Sequence, residues 1–185
     1  MNTSFKHFIF RHYLVMAVLL LLSVTAGTIL FWQRIDGIEV LIGVYGATIT
    51  AIFIVQRQQH EELRTFNELF KEFNSRYDAV NERLNALVEK DVSQALDDGE
   101  IDLLNDYFNL CGEEYLYYRR GFIFHEVWMA WANGIIYFLG HPRIWPRWNS
   151  EEASASYYGL SIKALEKAVG RKAQEYDYAG RKASA

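Results

Sequence analysis

The sequence predicts an all-α protein: an N-terminal transmembrane helical hairpin followed by a small cytoplasmic helical bundle. Three observations carry that expectation. Two apolar stretches, 13–32 and 38–55, lie at the start of the chain. A seam of apolar residues at alternating steps of three and four follows directly after the second. Prolines are confined to Pro142 and Pro146, which leaves long runs free of helix breakers. The expected organisation is a hairpin at 1–56 and a helical domain at 57–185.

The first stretch contains no charge, and the second has only Glu39, at its start. A helix of ~20 apolar residues crosses the ~30 Å hydrocarbon core of a bilayer. The link Gln33-Arg34-Ile35-Asp36-Gly37 is short enough to turn one span back beside the other. A cleaved signal peptide would end its apolar run in a small-residue site. Here the run ends in Ile29-Leu30-Phe31-Trp32, and a second apolar segment follows at once, so a retained hairpin is expected.

Orientation follows the Lys and Arg of the short flanks. Lys6 and Arg11 precede the first span, and Arg57, Arg64 and Lys71 follow the second. The link holds only Arg34. Both termini are therefore expected in the cytoplasm, with the lipid bilayer as first partner. Tyr13, Phe31 and Trp32 suit the aromatic belts at the interfaces. Gly43, Ala47 and Ala51 form a row of small residues four apart, where helix backbones can approach closely in lipid. Two readings stay open: the row packs within the hairpin, or it joins copies of the chain. No Lys, Arg or Asp lies mid-span to mark an ion path.

Past the spans, Leu63, Phe66, Phe70, Phe73, Tyr77, Val80, Leu84 and Leu87 form the seam. The second membrane helix is expected to continue into it unbroken. Three Phe and a Tyr are bulky for a dimeric coiled coil and suit a bundle of helices from the same chain. Asp97-Asp98-Gly99 predicts a turn and about Glu100 to Arg120 a second helix, closed by Gly121 at the C′ position. A third helix is expected from about Phe124 to Leu139. It is apolar nearly all round, hence either a central buried helix or membrane-associated. The run Arg143-Ile144-Trp145-Pro146-Arg147-Trp148 reads as an aromatic, basic loop. Ser150 with Glu151 and Glu152 reads as the start of a last helix over about Ala153 to Ala168, after which a basic tail frays.

Catalytic signatures are missing. His60-Glu61-Glu62 lacks a second histidine one turn on, and His125 and Glu126 are adjacent, so they face different ways on a helix. No Gly-x-Ser-x-Gly, phosphate-cradling loop or dinucleotide fingerprint occurs. The single cysteine, Cys111, sits in an apolar row, excludes an internal disulfide and suits a reducing compartment. Glu113 and Glu114 read as capping or solvated helix residues. No enzyme activity, catalytic residue, cofactor or metal site is expected. A net charge of −4 gives no general attraction to duplex nucleic acid.

The binding candidates are Arg119 with Arg120, and Arg143, Trp145 and Arg147. Guanidinium forks pair with phosphate oxygens, and aromatic faces stack on bases. A purely structural role stands beside this for each: the arginines complement a helix end, and the tryptophans plug the bundle.

The run Tyr107-Phe-Asn-Leu-Cys-Gly-Glu-Glu-Tyr-Leu-Tyr-Tyr-Arg-Arg-Gly-Phe-Ile-Phe-His-Glu-Val-Trp128 resembles a large group of bacterial proteins with one or two N-terminal membrane helices and a small helical cytoplasmic domain. The resemblance covers about residues 60–145 and its motif is structural. Phe124-His125-Glu126 departs from the acidic helix start usual there, which puts that cap in doubt. In size and topology the chain also resembles the cyclic-nucleotide-binding membrane effectors of type III CRISPR defence. That resemblance implies a homo-oligomer, a tetramer by preference, which binds cyclic tetra-adenylate and disturbs the inner membrane in antiviral defence. It carries over no individual ligand residue. The alternative is a ligand-free membrane scaffold that recruits a protein through its seam and aromatic loop.

Overall fold

The computed structural model describes residues 3–30, 37–154, 156–170 and 173, and among these it holds six helices and no strand. They are α1 (Thr3–Leu30), α2 (Gly37–Glu89), α3 (Asp98–Arg119), α4 (His125–Leu139), α5 (Trp145–Glu152) and α6 (Ile162–Val169). The expected link 33–36, Phe31, Trp32 and the basic tail beyond 173 lie outside the described residues. The chain divides into two compact units, Met1–Thr65 and Phe66–Ala185, and the division falls inside α2.

In the first unit α1 and α2 are both long and apolar enough to cross a membrane. Only 11% of the apolar segment of α1 and 6% of that of α2 is buried, so neither segment is packed as the core of a folded domain. Leu19, Leu22, Ile42 and Phe53 are each more than 60% exposed. The covered positions include Phe10, Tyr13, Ala17, Leu21, Val24 and Thr28 on α1 and Leu41, Val44, Thr48, Ile52, Val55 and Gln59 on α2, both rows stepping by three and four. Thr25 Oγ1 meets Tyr45 Oη at 3.0 Å, and Gln59 Nε2 donates to the Phe10 carbonyl at 3.2 Å. Partners later on α2 meet residues earlier on α1, which makes the pair antiparallel.

The hydroxyls of Ser23, Thr25, Thr28, Thr48 and Thr50 all donate to carbonyls three or four residues back. An unsatisfied hydroxyl in hydrocarbon costs several kcal/mol, and this local bond removes that penalty. These sequences are therefore compatible with lipid despite their polar residues.

In the second unit the seam of α2 turns inward. Phe73, Leu84 and Leu87 are fully buried, and Phe66, Tyr77 and Val80 pack against the same core. Leu63 and Phe70 depart from the expected seam: they stay 49% and 37% exposed. Leu69 packs on the core instead. The aromatic stripe is thus filled by the chain's own α3 and α4: Phe73 meets Tyr117 and Trp131, and Tyr77 meets Tyr107.

Helix α3 begins earlier than the sequence implies. Asp97-Asp98-Gly99 is a helix start, not a free turn: Asp97 caps Glu100 N, and Glu100 returns a bond to Asp97 N in a capping box. At its far end Gly121 takes φ 81°, and the bonds Phe122 N to Tyr117 O and Gly121 N to Tyr118 O close a Schellman motif. Helix α4 has no side-chain cap at Phe124. It buries Trp128, Ala132, Ile135, Ile136, Phe138 and Leu139, which makes it the central helix of the bundle.

The C-terminal third corrects the sequence reading. Residues 145–148 are not a loop; they open α5, with Pro146 in its first turn, where a fixed φ and a missing N–H are tolerated. Ser150, Glu151 and Glu152 therefore end a helix. Tyr158 and Gly159 both have positive φ, which no right-handed helix continues through. The last helix starts only at Ile162, where Ser161 Oγ accepts the Ala164 N–H.

Candidate functional site

The five binding candidates fall at two places, and no hydrogen bond or ion pair joins these among the described residues. Arg119 and Arg120 end α3 and are exposed. Arg119 lies over the Tyr115 ring, 5.6 Å from its centroid, and donates to the Tyr158 carbonyl at 3.3 Å. The cation at a helix C-terminus complements the helix dipole.

Arg143 does not reach solvent. Its side chain is 1% exposed and Nη2 donates to Glu100 Oε2 at 2.9 Å. Nη1 donates to the carbonyls of Asp91 and Gln94. Lys90 holds the other glutamate oxygen at 2.8 Å. This cluster ties the α2–α3 connection to the residues before α5. Burial alone would push Glu100 up, but the bonds from Lys90 and the Asp97 N–H, with the nearby Arg143 charge, hold it below the usual carboxylate range. Every Nη contact of Arg143 is therefore spent within the protein, and an anionic ligand could reach it only by breaking the core.

Arg147 donates to Asn105 Oδ1 at 3.1 Å and pairs with Glu151 at 2.7 Å. Trp145 packs half-buried against the core. Trp148 is fully buried, with Nε1 bonded to Glu152. The two tryptophans plug the bundle, and the basic-aromatic motif is built into structure. Trp128, also fully buried, stacks on Tyr118, whose hydroxyl lies 3.2 Å from His125 Nδ1.

A polar site that the sequence reading passed over lies where α2, α3 and α4 meet. Arg76 donates to both oxygens of Glu113, at 2.6 and 3.3 Å. Glu114, expected to be capping or solvated, is instead 5% exposed. It faces a cavity of about 160 Å³ lined also by Asn74, Tyr77, Tyr107 and Trp131. Burial pushes its carboxyl up to about 8; Arg76 pulls it down and Glu113 pushes it further up. Its position was visible in the spacing: Tyr107, Cys111 and Glu114 share one helix face. Burial also pushes the Cys111 thiol well up, which disfavours the thiolate in this buried position.

Gly43, Ala47 and Ala51 are exposed, off the covered positions 41, 44, 48, 52, 55 and 59 of α2. A Cβ added at Gly43 would meet nothing within 4 Å. Ala47 and Ala51 also line an apolar groove of about 770 Å³ between α1 and α2. Among the described residues no group of three or more His, Cys, Asp or Glu could hold a metal ion. No family model, curated protein or solved structure matches the chain.

Proposed function

We propose that this is a membrane-anchored effector in which α1 and α2 form a transmembrane hairpin and the α2–α6 bundle is a cytoplasmic receiver. The observation that carries the reading is α2 itself. One unbroken helix of 53 residues supplies an apolar span with 6% of its window buried and then the core stripe of the bundle. At 1.5 Å per residue it is roughly 80 Å long. Both termini lie in the cytoplasm of the bacterial inner membrane, and copies associate, by preference as a tetramer, through the exposed Gly43 row.

Alkaline carbonate washing of membranes from cells that express the full chain tests the anchor. The chain should stay in the pellet, and a reporter fused after Ala185 should be active only in the cytoplasm. Extraction by carbonate, or an active periplasmic reporter, overturns the reading.

A second reading adds a ligand. Exposed Arg119 and Arg120 at the α3 end, with Tyr115 and Tyr158 beside them, favour an anionic nucleotide such as cyclic tetra-adenylate, acting in antiviral defence. Arg143 and Arg147, spent on Glu100, Asn105 and Glu151, give it no support. The ligand-free scaffold keeps Leu63 and Phe70 of its seam exposed, whereas Phe73, Leu84, Leu87 and Trp148 lie in the core.

A further inference from the structure

One guanidinium faces two neighbouring carboxylates at the junction of α2 and α3. Arg76 gives both Nη groups to Glu113. No hydrogen bond or ion pair reaches the Glu114 carboxyl from the described residues, although the residue is 95% buried, being 5% exposed. A buried carboxyl without a partner is expensive, and a charged one more so. The cavity before it has walls of aromatic rings: Tyr77 from α2, Tyr107 from α3 and Trp131 from α4.

We propose that this cavity binds a small alkylammonium ion, with Glu114 as its counter-charge and Tyr77, Tyr107 and Trp131 as π walls. Aromatic faces attract cations, most strongly when desolvated. The volume, about 160 Å³, is roughly five waters at ~30 Å³ each, so the ligand is of ethanolammonium or choline size. An anion finds no free cation there, because both Nη groups of Arg76 are held by Glu113. Calcium and magnesium need several oxygen ligands, and one carboxyl among rings does not supply them. Ala130, on the cavity wall, is exposed and gives an entry.

The groups that face Glu114 are Arg76 and Tyr77 from α2, and Tyr107, Cys111 and Glu113 from α3. Helix α4 lines the cavity with Ala130, Trp131, Gly134 and Ile135, none of them titratable. With Arg76 spent on Glu113, the empty site keeps a proton on Glu114, and a bound cation displaces it. Affinity should therefore rise with pH until about 8. The same ammonium chemistry comes from a free amine or from a lipid headgroup, and the test separates them.

Full-length chain in detergent is titrated calorimetrically with choline, ethanolammonium and the neutral choline isostere 3,3-dimethylbutanol. A cation should bind at least tenfold more tightly than the isostere, and about tenfold more tightly per pH unit from 6 to 8. Glu114→Gln should remove that preference and its pH dependence. Gly134→Leu, filling the cavity from a position where a Cβ meets nothing within 4 Å, should abolish binding with the fold intact by circular dichroism. Nanodiscs with and without ethanolamine lipid repeat the measurement as thermal stabilisation. A gain from free cations assigns a soluble ligand, and a gain only from the lipid assigns a headgroup. No binding in either arm, or equal binding of the isostere and of Glu114→Gln, overturns the proposal. The membrane anchor stands or falls separately, by carbonate extraction.

Discussion

Arg143 and Glu100 form a buried ion pair at 2.9 Å, with 1% of the arginine side chain and 10% of the glutamate side chain exposed. Forty-three residues separate them in sequence, and two carbonyls, of Asp91 and Gln94, share the same guanidinium. A buried pair is a weak source of net stability, but breaking it by removing one partner costs roughly 3–5 kcal/mol, because the other charge is left uncompensated. Arg143→Ala should therefore destabilise the bundle by about that amount in chemical denaturation of the detergent-solubilised chain. Arg119→Ala, at an exposed helix end, should cost less than about 1 kcal/mol. Equal losses for the two variants would sink the distinction drawn between them.

The same pair sets an acid limit. Glu100 titrates below its ordinary value of 4.5 in the folded chain, so it binds fewer protons there than in the unfolded chain. Its contribution is fully present above 4.5 and is lost as pH falls through the lower folded value. Glu114 acts in the opposite sense. Its folded value of about 8 lies above the ordinary 4.5, so the unfolded chain ionises first and stability declines as pH rises from 4.5 to about 8. At about 1.4 kcal/mol per unit, Glu114→Gln should gain on the order of 2–4 kcal/mol at pH 8 and less than about 1 kcal/mol at pH 5. A gain independent of pH would show that packing, not ionisation, sets the effect.

How far the sequence was legible depends on the range of the interactions. Local signals read correctly from Phe73 to Leu87 of α2, at the Gly121 terminus of α3 and along the buried row of α4, which rest on residues within a few turns of one another. The α5 and α6 boundaries misread because two competing start signals lie close together. Ser150 with two glutamates resembles a cap, but Pro146 starts the helix earlier and the positive-φ pair at Tyr158 and Gly159 delays the next. Arg143 misread for another reason. A basic residue beside tryptophans looks like a ligand contact until its carboxylate partner, far away in the chain, is known. Glu114 sat on the apolar face of α3, yet its acidic neighbour Glu113 drew both into one solvated reading.

Two glycines should respond to alanine in opposite directions. A Cβ on Gly112 would come within 3.1 Å of Tyr157 Cβ and 3.3 Å of its Cα. The Tyr157 ring is wedged against Phe108 and Trp148, so the neighbour has little room to give. Overpacking costs about 1–3 kcal/mol, against a helix-propensity gain of about 1 kcal/mol. Gly112→Ala should lose on the order of 1 kcal/mol. Gly134→Ala meets nothing within 4 Å and should gain up to about 1 kcal/mol. Parallel melting curves of the two variants check the sign of each.

The small-residue row of α2 offers the last prediction. Gly43, Ala47 and Ala51 are exposed, while Val44, Thr48 and Val55 of the same helix are covered. In lipid no hydrophobic force drives helices together, so close backbone approach at small residues supplies the association. Bulk added at Gly43 and Ala47 should therefore disrupt contact between copies. Gly43→Ile with Ala47→Ile is expected to lower the mass of the detergent complex toward a monomer in light scattering. A parent chain already monomeric in mild detergent would remove the association altogether.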